Sequence, residues 1–314
     1  MAVGGSNENT GDAGAGVVQP LPSRLSGTFD GSRPLQPLFD RRASYLQSLA
    51  TCQAGSFWFG ALNLLPKVAL GKLELEVRKD AILLYASDGS FRVLPLADRN
   101  AYYATLIELL SSKCYVKNVP EWVATHLKRS YPVKKQQEEY LIPTETLRLL
   151  PGGRLRTIRN LVHKSRREAQ VRLFSPADLA EYERVNALWY RQNKDLKFRT
   201  YDKTSIDWLL ANHAMLAVYL PETAWAGVWL GDRLLSFTMA DMLHEGVWSA
   251  YTERFDRDAP IDGSNWRTWS DLAGLYANRG VPFENDGTAD TTALRHNKGK
   301  LNPTKVSFYE VDAR

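Results

Sequence analysis

Between Ala214 and Glu253 four strand-like stretches follow one another with almost no linker: AMLAVYL, AWAGVWLGD, RLLSFTMADML and EGVWSAYTE. Gly231-Asp232, between the second and third, has the chemistry of a two-residue hairpin turn. Strands this closely spaced leave no room for a crossover helix, so they pair as antiparallel neighbours. An apolar meander of this kind must be covered by helices, and the flanking sequence supplies them.

SPADLAEYERVNALWYRQNK reads as a helix with Ser175 as N-cap and Asp178 three residues on. KTSIDWLLANH is a second helix. GSNWRTWSDLAGLYANRG places Trp266, Trp269, Ala273 and Tyr276 on one face and stops at Gly280. VPFEN and TKVSFYEV are short strands around the helix TTALRHNKGK. Upstream, EEYLIP and QVRLF are strands, and TETLRLLPGG is a turn of helix closed by glycines. The first half has the same ingredients on a smaller scale. RRASYLQSLA is a helix, and SFWFGALNLL is an apolar segment of ambiguous type. KLELEVRK, AILLYASDG and FRVLPL form a meander. RNAYYATLIELLSSK and PEWVATHLKRSY are helices around the strand CYVKNV, with Pro120 at the start of the second. The expected class is α+β, with mixed central sheets flanked by helices in two tandem units, 39–135 and 136–314. Residues 1–38, rich in Gly, Ala, Ser, Asn and Pro, are expected to be a disordered leader.

With 314 residues, 44% of them hydrophobic, the chain can build two cores. No run of 18 apolar residues exists, so no membrane-spanning segment is expected. Cys52 and Cys114 make neither a disulfide framework nor a metal site and read as reduced thiols of a cytoplasmic protein. His126, His163, His213, His244 and His296 lack metal-ligand spacing. The formal net charge of +5 permits a polyanionic partner without requiring one.

Much of that charge is concentrated in GGRLRTIRNLVHKSRRE, residues 152–168. At 100° per residue Leu155, Ile158, Leu161 and Val162 share one side of a helix. Arg156, Arg159, His163, Arg166 and Arg167 occupy the opposite arc, with Glu168 the single acid. Exposed helices ordinarily mix signs, because opposite charges at i,i+4 support them. This one does not, so Arg154, Arg156, Arg159, Lys164, Arg166 and Arg167 are candidates for a polyanion-binding face. The alternative is a basic surface with no partner.

The order of elements in the second half is similar to an acetyltransferase-type (GNAT) domain, and the first half to a shorter copy. Three segments carry a closer resemblance. EEYLIPTETLRLLPGGRLRTIRN has a strand, short helix, glycines and a basic helix with Arg159-Asn160. AGVWLGDRLLSFTMADM is a central hairpin carrying Asp241. ENDGTADTTALRHNKGKLNP keeps Leu294-Arg295, Lys298 and Pro303 in spacing. Asp286-Gly287 lies about two residues further upstream than in the family pattern. On these the chain resembles the soluble catalytic region of phosphatidylglycerol lysyltransferases, tandem GNAT-fold enzymes that use aminoacyl-tRNA.

The resemblance implies an aminoacyltransferase with aminoacyl-tRNA as co-substrate, no separate cofactor and no metal. The basic helix would contact the acceptor arm of the tRNA. Lys298 and Arg295 would hold a terminal phosphate or the developing oxyanion, or else be the solvated end of an amphipathic helix. Asp241 and Glu253 would steer or deprotonate the acceptor, or form a structural ion pair. Without membrane spans, the expected acceptor is a small metabolite or peptide bearing an amine or hydroxyl. Two other functions remain open. An acyl-CoA N-acyltransferase would need a pyrophosphate loop opening a helix, and the nearest string, RLSGTF from Arg24, lies in the leader. A non-catalytic RNA-binding protein would use the basic helix but not the Leu294–Pro303 segment.

Overall fold

A computed structural model describes residues 34–193, 199–289 and 292–314. The chain opens with α1 (Gln36–Asp40), α2 (Arg42–Thr51) and α3 (Ala61–Ala69), then β1 (Leu73–Val77), β2 (Ala81–Ala86) and β3 (Ser90–Pro95). α4 (Arg99–Ser111), β4 (Tyr115–Pro120), α5 (Glu121–Leu127), β5 (Val133–Pro143) and α6 (Thr144–Leu149) follow. The basic helix is α7 (Arg156–Glu168), then β6 (Gln170–Leu173), α8 (Leu179–Gln192), α9 (Arg199–Ala211) and α10 (His213–Tyr219). β7 (Ala224–Leu230), β8 (Arg233–His244), β9 (Val247–Phe255), α11 (Ser264–Asn278), β10 (Phe283–Asn285), α12 (Thr292–Lys300) and β11 (Thr304–Asp312) complete it.

The described strands form one mixed sheet of order β1-β2-β3-β4-β11-β5-β10-β9-β8-β7-β6. The central meander is antiparallel as the sequence requires, with Leu230 opposite Arg233 across the Gly231-Asp232 turn. β11, the last strand, is inserted between β4 and β5, so the C-terminus completes the sheet of the N-terminal half. The expected boundary at 135/136 falls inside β5. α1 begins within the segment expected to be a leader, and Leu35 and Leu38 are buried. Residues 1–33 lie outside the described part.

One strand expectation is overturned. AMLAVYL is helical: Leu216 N–H donates to Asn212 O at 3.0 Å, and Leu220 N–H to Leu216 O at 2.8 Å. Only Leu216 is buried within the helix while Val218 stands exposed, so this apolar run covers α9 rather than joining the sheet. The ambiguous segment SFWFGALNLL is a 3-10 turn, Phe57–Phe59, running into the buried helix α3.

Two apolar layers sandwich the sheet. One gathers residues of α2, α3, α4, α8 and α9, with Tyr182, Trp225, Phe237 and Met239 among its buried members. The other joins α6, α7 and α11 through Leu147, Leu155, Ile158, Val162, Trp269 and Tyr276. Side-chain alternation along β7 and β8 feeds both layers. The polar residues discussed next lie where β5, β9, β10 and the Ser56–Phe59 segment meet.

Candidate active site

Glu139 of β5 is fully buried and ties three segments together. Its carboxylate accepts from the Ser56 hydroxyl (2.6 Å), the Phe57 N–H (2.9 Å), the Asn285 side-chain amide (2.7 Å) and the Gln137 amide. Burial pushes this carboxyl up, and the four donors pull it back towards ionisation. Asn285 in turn accepts from the Gly287 N–H at 2.8 Å. Gly287 has φ +63°, and a Cβ there would lie 3.1 Å from the Phe57 ring. Only glycine lets the loop after β10 pass so closely under Phe57 in that conformation.

Helix α12 fastens the same loop from the other end. Lys298, 8% exposed, donates to the Asp286 carbonyl, to the Thr288 carbonyl at 2.7 Å and to the Asp286 carboxylate at 3.1 Å. An ammonium has three protons, and these three acceptors use them all. Arg295, three residues earlier, is exposed and donates to the Ala289 carbonyl at 3.2 Å. The expected pair therefore diverges: Lys298 is buried under the loop and Arg295 stands at its rim.

Around Lys298 gather three carboxyl groups. Glu253 of β9 is half-buried, and burial together with Asp286 pushes it up to about 8 against the pull of Lys298 and Arg254. Glu284 of β10 is buried and raised for the same reasons; one oxygen accepts from the Ala250 N–H at 3.3 Å and the other has no hydrogen-bond partner. Asp286 is raised by burial and drawn down by Lys298. One ammonium faces three neighbouring carboxyl groups, Glu284 buried and Glu253 and Asp286 half-buried, and each of the three is raised from its ordinary value. A carboxyl titrating near the working pH is suited to accept a proton and return it.

Asp241, the other expected acid, is 1% exposed and has different partners. It accepts from the Leu62 N–H at 3.2 Å and from the Ala61 N–H, the first amides of α3. Arg42 of α2 faces it and donates to Tyr45, Glu222 and the Met242 carbonyl at 3.0 Å. Burial pushes Asp241 up to about 6 despite Arg42 and those amides. Its contacts dock α2 and α3 on β8, whereas Glu253 belongs to the Lys298 cluster.

The polar face of α7 lines a shallow groove with Thr157, Asn160, His163, Lys164, Arg166 and Arg167, together with Leu161 from the edge of the apolar stripe. Arg154, Arg156 and Arg167 are exposed and Lys164 half-exposed. Two members of the expected set have internal work. Arg159 donates to the carbonyls of Leu150 and, at 3.1 Å, Gly152. It thereby clasps a loop in which Leu150 holds a left-handed φ of +48°. Arg166 pairs with Asp271 of α11 at 3.0 Å. Sequence reading missed Glu139, Glu284 and Asn285; the only available signal was an acid or amide within short apolar strands.

Among the described residues no helix is long and apolar enough to cross a membrane. No curated protein sequence matches the chain. The model of the phosphatidylglycerol lysyltransferase C-terminal family matches residues 94–270, more than half of the chain. A conserved protein of unknown function from Bacteroides thetaiotaomicron is similar in structure, with TM-score 0.72 and 16% identity over 88% of this chain and 97% of that one. The C-terminal domain of a putative lysylphosphatidylglycerol synthetase from Agrobacterium fabrum gives 0.65 and 14%, over 90% and 92%. The L-PGS of Bacillus licheniformis gives 0.59 and 17%, over 79% and 86%. These likenesses show the α+β, GNAT-like fold expected from the sequence. The chain belongs to the phosphatidylglycerol lysyltransferase C-terminal family and is, in kind, an aminoacyl-tRNA-dependent acyltransferase.

Proposed function

We propose that the protein moves an amino acid from aminoacyl-tRNA to an amine or hydroxyl of a soluble acceptor, a small metabolite or peptide, in the cytoplasm and without a separate cofactor. The observation that carries this reading is the loop fastened by Lys298 with Glu253, Glu284 and Asp286 gathered around that ammonium, where burial and Asp286 push Glu253 up to about 8. For an amine acceptor the ammonium gives a proton to the Glu253 carboxylate. The free amine attacks the ester carbonyl and a C–N bond forms. The C–O bond to the terminal ribose breaks, and the ribose oxygen takes up the proton Glu253 holds. The new amide nitrogen gives its surplus proton to the Glu253 carboxylate so regenerated, from which it passes to solvent. Positioning supplies much of the rate, up to about 7–11 kcal/mol in well-oriented reactions. The exposed cations of α7 support contact with the acceptor arm, where phosphate contacts give affinity without sequence reading.

The test is transfer of label from tRNA charged with a labelled amino-acid mixture into RNase-resistant products. The reaction contains a small-molecule extract, with phosphatidylglycerol vesicles and acetyl-CoA in parallel tubes. Product that requires intact charged tRNA and the extract supports the reading. Label entering only the vesicles overturns the soluble acceptor, and transfer only from acetyl-CoA overturns the donor.

A further inference from the structure

The segment from Arg295 to Lys305 holds four Lys or Arg residues and no acid. Its fold brings the ends of that segment together. Leu301 N–H donates to Lys298 O at 3.0 Å, and Asn302 N–H to Gly299 O at 3.3 Å. Asn302 takes a left-handed φ of +52°. The chain thus reverses from α12 into β11, where Lys305 stands opposite Tyr140 of β5. Lys298 and Lys305 each place their ammonium 5.6 Å from the centre of the Tyr140 ring, the first buried and the second on the surface. Arg295 lies close enough to Lys305 to repel its charge. Lys135, also exposed, completes the rim from β5. Among the described residues a single carboxylate, Glu138, is shared by Lys135 at 2.6 Å and Lys305 at 2.7 Å, so the described rim keeps two positive charges in excess.

The excess charge of such a rim is open to an anion, because the exposed pairs to Glu138 hold these side chains only weakly. It also leads inward to the loop held by Lys298, beside Glu253. In an aminoacyl-tRNA the anions next to the ester are the phosphodiesters of the unpaired 3′ nucleotides. We infer that Arg295, Lys305 and Lys135 form a phosphate-binding rim for the single-stranded 3′ end of the tRNA. Helix α7 is a separate surface, for the double-stranded arm. This rests on the aminoacyl-tRNA reading above and assigns the two parts of that substrate to two surfaces.

The experiment measures binding of two labelled acceptor-stem minihelices, one ending in the unpaired 3′ nucleotides and one blunt, across a salt series. Wild type should prefer the tailed RNA by about tenfold, the scale of two or three phosphate contacts. The variant R295Q/K305Q should lose that preference and reduce the log–log salt slope for the tailed RNA by about 1.4, at ~0.7 per single-strand contact. The variant R156Q/R167Q should weaken both RNAs alike and keep the preference. Full retention of the tail preference in R295Q/K305Q overturns the inference, as does its loss in R156Q/R167Q instead. Failure of the donor reading looks different: the rim behaves as stated, but the ester on charged tRNA is never consumed.

Discussion

Replacing Lys298 with Met keeps a long apolar stem and removes the three protons that fasten the loop after β10. Two partly buried carbonyls, of Asp286 and Thr288, then lack their donor, and the Asp286 carboxylate lacks its partner. Each unsatisfied buried acceptor costs about 1–3 kcal/mol. Breaking a buried ion pair on one side costs about 3–5 kcal/mol. The terms overlap, because Asp286 takes up a proton instead of remaining charged and alone, so the expected loss at pH 7 is about 3–5 kcal/mol. The pH dependence follows from the same contacts. Lys298 pulls Asp286, Glu284 and Glu253 down, so without it their folded-state affinities for protons rise. The folded variant then binds more protons than its unfolded chain, and its stability falls further as pH increases, by about 1.4 kcal/mol per pH unit for each extra proton. Urea unfolding followed by tryptophan fluorescence at pH 6 and pH 8 measures this. A loss below about 1 kcal/mol, or an equal loss at both pH values, would refute the structural role given to Lys298.

Glu253→Gln should reduce transfer to an amine acceptor by about 10²–10⁴-fold, the usual worth of a positioned general base. In wild type the rate should rise with pH through about 8, and this limb should vanish in the variant; an unchanged pH–rate profile would exclude Glu253 as the base. Asp241→Asn bears on stability. Asp241 titrates near 6 when folded and near 3.8 when unfolded, so its contribution is fully present below 3.8 and is lost as pH rises to 6. That slope, about 3 kcal/mol in total, should be absent from the pH–stability curve of the variant. Gly287→Ala forces a side chain into φ +63° and against Phe57, and should cost about 1–3 kcal/mol. It should also lower kcat more than a substitution at exposed Gly280, where no atom lies within 4 Å of the added Cβ; equal effects at the two glycines would remove the argument from close approach.

What could be read from the sequence was what depends on neighbours in the chain. The hairpin at Gly231-Asp232 and the amphipathic helix α7 follow from local chemistry and a period of 3.6, and both are present. AMLAVYL failed because seven apolar residues fit a strand or a buried turn of helix equally well, and packing on α9 decides between them. The candidate site shows the same limit more sharply. Arg295 and Lys298 have the spacing of one helix face, yet the loop they fasten lies over only one of them. Asp241 reads as an acid on a central strand, but its partners are the amides of Ala61 and Leu62, some 180 positions earlier. Glu139 and Asn285 are 146 residues apart and meet only because β10 pairs with β5. No local pattern encodes that pairing; it exists because β11 returns to lie between β4 and β5 and fixes β5 in place. Glu139, which ties the loop to β5, therefore has its partner far away in sequence, whereas Lys298 fastens the same loop from nearby and, like Arg295 and Glu253, stands out as a charge in an otherwise regular element. Substituting Glu139 would test that division. It touches none of the charged groups around Lys298 in the described contacts, so Glu139→Gln should leave RNA affinity unchanged while lowering kcat through the loop. A fall in affinity with kcat intact would place Glu139 at the binding surface instead.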